Sequence, residues 1–159
     1  FLWILVILWA GLIFFMSSMD TNESNGKSKT IINDVVEKSV ETTNGLGITD
    51  KHPSENKMDQ VIEKLNYPLR KAAHASEYFI FTILILIALK NSGVKGNKRF
   101  IIALVICFIY ACTDEYHQTF VNGRTGRFSD TLIDTFGGFV SCLMYTFMMK
   151  INKIRKKHI

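Results

Sequence analysis

Two carboxylates, an imidazole and a carboxamide stand almost side by side in Asp114-Glu115-Tyr116-His117-Gln118, directly behind the apolar run from Phe100 to Cys112. A second set, Arg70-Lys71-x-x-His74-x-x-Glu77, leads into another apolar run. At about 100° per residue, Arg70, His74 and Glu77 fall within roughly 60° of one another on a helix, so they share a face. By the same spacing Asp114, His117 and Gln118 cover about 100° of arc, with Glu115 pointing about 100° away from Asp114. Asp130, Asp134, Gly137 and Ser141 lie within about 60° on a further helix. An acid in a first helical turn is favoured by the helix dipole, which accounts for Asp130; Asp134, a turn deeper, has no such explanation.

These residue types support two chemistries. In one, Arg70, Lys71, Arg124 and Arg127 grip a phosphate or carboxylate, with Gln118 and Asp130 completing the ligand-binding set. The loop from Phe120 to Phe128 suits that task, because Gly123 and Gly126 let successive N–H groups converge and the two arginines supply bidentate donors. In the other, His74 and His117 act as acid and base, and Glu77, Asp114, Glu115 and Asp134 orient them, as in a hydrolase or transferase. The pairs His74/Glu77, Asp114/His117 and Asp130/Asp134 sit at i, i+3 or i, i+4, a spacing that also admits a divalent metal. No metal ligands are assigned, and no resident cofactor is expected.

The elements that position these groups are apolar. Hydrophobic residues make up 48% of the chain and arrive in four blocks: Phe1 to Met16, Ala72 to Leu89, Phe100 to Thr113 and Thr131 to Met149. Each approaches the roughly 20 residues that cross a bilayer once half-polar flanks are counted. The expected fold is an all-α membrane protein with four transmembrane helices and a long extracytoplasmic loop between helices 1 and 2. Residues 1–16 form the first helix, truncated at its N-terminus because the chain opens on Phe1. Two tryptophans and the lack of a small-x-small cleavage site favour a retained helix over a signal peptide.

Residues 17–66 are the external loop. Within it Ile31, Ile32, Val35, Val36 and Val40, and then Met58, Val61, Ile62 and Leu65 with Ser54 as cap, outline amphipathic surface helices. Residues 67–151 hold a three-helix core, whose first helix is expected to start at Pro68 and whose last is capped by Ser129. Residues 152–159 form a basic tail. Gly137 and Ser141 make a small-x-x-x-small pair that would admit another helix closely, and the oligomeric state is left open. The three cysteines fall inside apolar blocks and read as free thiols.

The net charge of +5 does not point to nucleic acid, because of how it is distributed. Between Ser17 and Asn66 there are nine acids and six bases, whereas Lys90, Lys95, Lys98, Arg99, Lys150, Lys153, Arg155, Lys156 and Lys157 form two clusters without an acid. The positive-inside rule puts both clusters in the cytoplasm. Beyond Glu63 the acids are only Glu77, Asp114, Glu115, Asp130 and Asp134, and all five then map to external helix ends. Arg70, Lys71, Arg124, Arg127, His74 and His117 map to the same level. A charge at the bilayer centre costs on the order of 2.5–3.5 kcal/mol, so such groups must pair or serve a site. Mutual neutralisation as a packing lock needs only a pair or two. A transport path is disfavoured, since the inner halves of helices 2 to 4 carry no polar track.

Taken as a set, Phe14-Phe15-Met16-Ser17-Ser18, Arg70-Lys71-x-x-His74-x-x-Glu77-Tyr78, Asp114-Glu115-x-His117-Gln118, Gly123-Arg124 and Asp130-x-x-x-Asp134-x-x-Gly137 resemble the VanZ-like family in order and spacing. The resemblance covers the first helix and Leu65 to Met149; the long loop is unmatched. It implies a multi-pass protein of the bacterial plasma membrane, named after a member associated with teicoplanin resistance, with no settled chemistry. The expectation is therefore an outward-facing polar pocket that binds an anionic lipid, a lipid-linked cell-envelope precursor or a lipophilic glycopeptide. The alternative is a hydrolase or transferase acting on a lipid-linked substrate at the membrane surface.

Overall fold

The computed structural model describes residues 1–19, 26, 30–35, 37–39, 41–42 and 55–155, with backbone alone at 55–59, 61–63 and 152–153. The expected Ser54 cap and the basic tail beyond Arg155 lie outside the described residues, as do Val36, Val40 and the side chains of Met58, Val61 and Ile62. Four long elements follow in order: α1 (Leu2–Ser17), α2 (Glu55–Asn91), α3 (Asn97–Gln118) and α4 (Phe128–Arg155). No strand occurs among the described residues. In the first loop, residues 30–35 and 37–39 are helical, and Ile32 is buried.

Lys64–Asn91, Asn97–Gln118 and Phe128–Ile151 are each long and apolar enough to cross a membrane; Leu2–Ser17 is apolar but shorter. Burial agrees with a lipid surrounding. Ile4, Ile7, Leu8, Phe15, Ile101, Ile109, Phe136 and Phe147 point outward, while Thr82, Asp114, Asp134 and Ser141 are buried. In water that arrangement would expose the wrong groups, whereas in hydrocarbon it leaves polar side chains facing one another inside the bundle.

Helix α2 is the hub. It packs against α1, α3 and α4, while α1 and α4 make no contact. Its Tyr78, Phe81, Ile85 and Leu86 enter the core opposite Ala103, Cys107 and Ala111, a small-residue stripe at i, i+4 and i+8 of α3. The α2–α4 approach is closer still, since a Cβ on Gly137 would collide with the Ala75 carbonyl and one on Gly138 with Thr82 and Cys107. Small residues let membrane helices gain dispersion contacts that no hydrophobic driving force supplies. Gly137 therefore faces α2 within the chain, so the helix it admits closely is the chain's own. The three cysteines are free, with Cys107 and Cys142 buried.

Helix α1 is pinned to the hub by Trp9 Nε1, which donates to the Glu77 carbonyl at 3.0 Å, and by Trp3 Nε1, which donates to Ser92 Oγ at 3.1 Å. Tyr110 of α3 donates to the Ala10 carbonyl at 2.5 Å. Two helix starts differ from expectation. Helix α2 begins at Glu55 and contains Pro68, because Lys64 and Pro68 lie on the exposed side, where the carbonyl that the proline leaves unpaired can be solvated. Helix α4 begins at Phe128, so Ser129 lies inside it and its hydroxyl meets Asp130 Oδ1 at 3.4 Å.

The α2–α3 turn closes the basic end. Val94 N–H donates to the Leu89 carbonyl at 3.0 Å and Gly93 N–H to Lys90 at 3.1 Å, with Gly93 at φ +81°, the paired bonds of a Schellman motif. Arg99 locks this turn: Nε and Nη2 donate to the Val94 carbonyl at 3.0 and 2.8 Å, and Nη1 reaches Tyr145 Oη at 3.4 Å.

Candidate functional site

At the other end of the bundle, α2, the ends of α3 and α4 and the loop between them enclose a polar cavity of about 140 Å3. Room for a phosphate-sized group and several waters is available in such a volume. Of the residues singled out from the sequence, nine line it: Arg70, Lys71, His74, Glu115, Gln118, Arg124, Arg127, Asp130 and Asp134. Glu77, Asp114 and His117 do not. They lie behind its wall.

Each helix contributes by its register. On α2, Arg70 and His74 stand one turn apart, with Lys71 beside them on the cavity side. Lys71 forms an ion pair with Asp130 Oδ2 and sits 5.4 Å from the Tyr67 ring centroid. His74 turns Nδ1 toward Glu77 Oε2 at 3.4 Å, longer than a good hydrogen bond. On α4, Asp130 and Asp134 are also one turn apart and both buried, as their shared helical face requires. Asp134 is 2% exposed and makes no hydrogen bond or ion pair among the described residues.

The α3 register brings a finding that helical angles alone do not contain. Gln118 Nε2 bridges both carboxylates, reaching Asp114 Oδ2 at 3.1 Å and Glu115 Oε1 at 3.4 Å. Glu115 Oε2 accepts the Arg127 backbone N–H at 2.9 Å, which anchors the loop. Gly126 makes that anchoring possible: a Cβ there would collide with the Glu115 carbonyl. Asp114 instead faces the interior, with Oδ1 buried and unbonded among the described residues. His117 turns to α1, where its ring lies 4.1 Å from that of Phe14.

Arg124 connects the cavity to α1. Its Nε donates to the Met19 carbonyl at 3.1 Å, Nη2 to the Met16 carbonyl at 3.5 Å and Nη1 to Gln118 Oε1 at 3.4 Å. The C-terminal carbonyls of a helix lack partners and carry partial negative charge, so the guanidinium both caps α1 and complements its dipole. Burial, reinforced by the nearby Arg70 guanidinium, holds Arg124 below the ordinary arginine range. The Phe14-Phe15-Met16-Ser17-Ser18 segment thus earns its place by meeting His117 and Arg124.

Three lining residues, Tyr67, Gly123 and Thr125, were not singled out as ligand-binding. Tyr67 precedes Arg70 and Lys71 by three and four residues, a spacing that marks the same helix face. Tyr78 is fully buried, its ring edge-on to Phe81 at 6.3 Å and tilted to Tyr110 at 6.1 Å. Tyr116 is exposed, and its ring meets Phe120 edge-on at 5.2 Å. Ser76 and Thr113 bond their own helix carbonyls, each at 2.7 Å. No group of three or more His, Cys, Asp or Glu is placed to hold a metal among the described residues.

A family model described as VanZ/LLP1 matches residues 2–149, nearly the whole chain. Searches of curated proteins and of solved structures returned no match.

Proposed function

The chain belongs to the VanZ-like family, and from that premise we propose that it binds the anionic group of a membrane amphiphile in its polar cavity. The convergence of Arg70, Lys71, Arg124 and Arg127 on one cavity carries this reading. Two of the acids beside them are already engaged, Asp130 by Lys71 and Glu115 by Gln118 and the Arg127 N–H. The two carbonyls and the carboxamide that accept the hydrogen bonds of Arg124 are neutral. Arg127 is exposed at the mouth and lines it. Planar guanidinium groups match phosphate and carboxylate oxygens in pairs.

The bases at the opposite end, Lys90, Lys95, Lys98, Arg99, Lys150 and Arg155 among them, orient that end to the cytoplasm by the positive-inside rule. The cavity then opens at the outer leaflet, where an anionic lipid or a lipid-linked cell-envelope precursor is within reach. A lipophilic glycopeptide is a further occupant of the same chemistry, and a part in teicoplanin resistance follows from the family name.

Native mass spectrometry of the full chain extracted from membranes tests the proposal. Wild type should retain an anionic amphiphile, and Arg70→Gln and Arg127→Gln should each reduce retention about tenfold, the loss of one charge-assisted contact. Equal retention by all three proteins, or none by wild type, would overturn it. The His74–Glu77 pair favours a second reading, a surface hydrolase or transferase with His74 as base oriented by Glu77. Release of a product from lipid extract by wild type and its loss in His74→Gln would establish that reading.

A further inference from the structure

The sign of charge changes with depth. The four permanent bases of the cavity, Arg70, Lys71, Arg124 and Arg127, belong to the first cavity-facing turn of α2 or to the α3–α4 loop. One turn further into the bundle stand His74 on α2 and Asp134 on α4. Behind them are Glu77, Asp114 and the Tyr78 hydroxyl. Asp130 and Glu115 share the rim with the four bases, so its net charge is positive, and the groups deeper in are acidic.

Several acceptors at this depth lack a hydrogen-bond donor among the described residues. Asp134 lines the cavity, is 2% exposed and has no hydrogen bond among the described residues. Asp114 Oδ1 and the Tyr78 hydroxyl are buried without a hydrogen-bond partner among the described residues, and Glu77 Oε2 has only the long approach of His74. Asp114 and Asp134 are both within electrostatic reach of the Tyr78 hydroxyl. Gln118 Nε2 serves the other oxygen of Asp114, and the His74 imidazole lies beside Glu77 and within electrostatic reach of Asp134. Buried acceptors left in this state are costly, and a cation carrying N–H donors would satisfy Asp134, the member of this group that lines the cavity.

Resting on the anion-binding reading above, we infer that the ligand is dipolar, a phosphate with a primary ammonium two carbons away. The phosphate meets the guanidinium rim, and the ammonium donates to Asp134 on the floor. Asp130 and Asp134 are four residues, about 6 Å, apart along α4. A two-carbon amino-alcohol phosphate spans about 5 Å from nitrogen to phosphorus, given bonds of roughly 1.5 Å. A simple alkyl phosphate supplies nothing to the floor, and a quaternary ammonium brings charge without N–H donors. The same group occurs free in water and as a phospholipid headgroup.

Calorimetry on the full chain in phosphatidylcholine nanodiscs tests the inference with phosphoethanolamine and ethyl phosphate. Phosphoethanolamine should bind at least about tenfold tighter than ethyl phosphate. Asp134→Asn should abolish the preference for phosphoethanolamine over ethyl phosphate, with thermal unfolding in the nanodisc reporting an intact fold, and Arg127→Gln should weaken both. In a lipid arm, native mass spectrometry compares retention of phosphatidylethanolamine with phosphatidylglycerol. An Asp134-dependent preference for phosphatidylethanolamine, with no binding of the free probes, supports the dipolar ligand in its headgroup form. Equal affinity for the two soluble probes together with no preference between the two lipids overturns the inference while leaving the anion site standing. If no probe or lipid binds, both fall.

Discussion

Arg99 and Arg124 sit at opposite ends of the bundle, each 8% exposed, each donating to backbone carbonyls near a helix terminus. At the basic end, Arg99 closes the α2–α3 turn through Val94 and Tyr145 and faces no acid in any ion pair among the described residues. At the polar end, Arg124 grips α1 in a similar manner but also lines a cavity with Glu115, Asp130 and Asp134. A buried arginine is thus a structural device at one end and part of a candidate site at the other. What separates them is the surplus of unsatisfied acceptors and the space to fill, not the burial of the cation.

The most severe way to break the contrast is to separate the helices that hold the polar end together. Gly137→Leu should destabilise the protein by about 3 kcal/mol or more, or prevent folding, because Ala75 backbone cannot retreat. Thermal unfolding in detergent reads this, with Gly11→Leu as the neutral comparison, since nothing lies within 4 Å of a Cβ at Gly11. Arg124→Gln comes next. It should cost about 2–3 kcal/mol by removing the charge-assisted donations to the Met16 and Met19 carbonyls, and it should also reduce retention of the anionic amphiphile.

Arg99→Gln sharpens the comparison from the other side. Stability should fall by about 1–2 kcal/mol with amphiphile retention unchanged, since its acceptors lie at the far end. Equal loss of retention in both arginine variants would show that the two ends are not distinct. The smallest effect belongs to the Lys71–Asp130 pair, whose side chains are 15% and 12% exposed. A double-mutant cycle with Lys71→Gln and Asp130→Asn should give a coupling of about 1 kcal/mol, falling with added salt.

How legible the site was depends on how its members are connected. Asp130 and Asp134 were readable as one buried face because both belong to α4, and a helix fixes relative angles whatever surrounds it. The same rule grouped Asp114 with His117, but α1 draws His117 to Phe14 while Glu115 turns to the cavity. Helical angle sets which residues diverge; the neighbours decide which arc becomes the wall. Arg124 was readable as a donor, yet its acceptors in and just beyond the last turn of α1 were not, being backbone carbonyls 108 and 105 residues away. A carbonyl has no sequence signature. Pro68 misled for a local reason: its preference for a first turn is real, but an exposed helix side tolerates it further in.

Sequence alone determined that this is a helical membrane protein whose charges divide into a basic end and a mixed end, because hydropathy and charge are summed along the chain. Tertiary structure decided which of the mixed-end residues share one cavity, which are diverted to fasten α1, and which buried acceptors are left without donors. Those outcomes depend on how closely α2 and α4 approach at Gly137 and where α1 docks. Packing between segments many residues apart sets both, and no local periodicity records it.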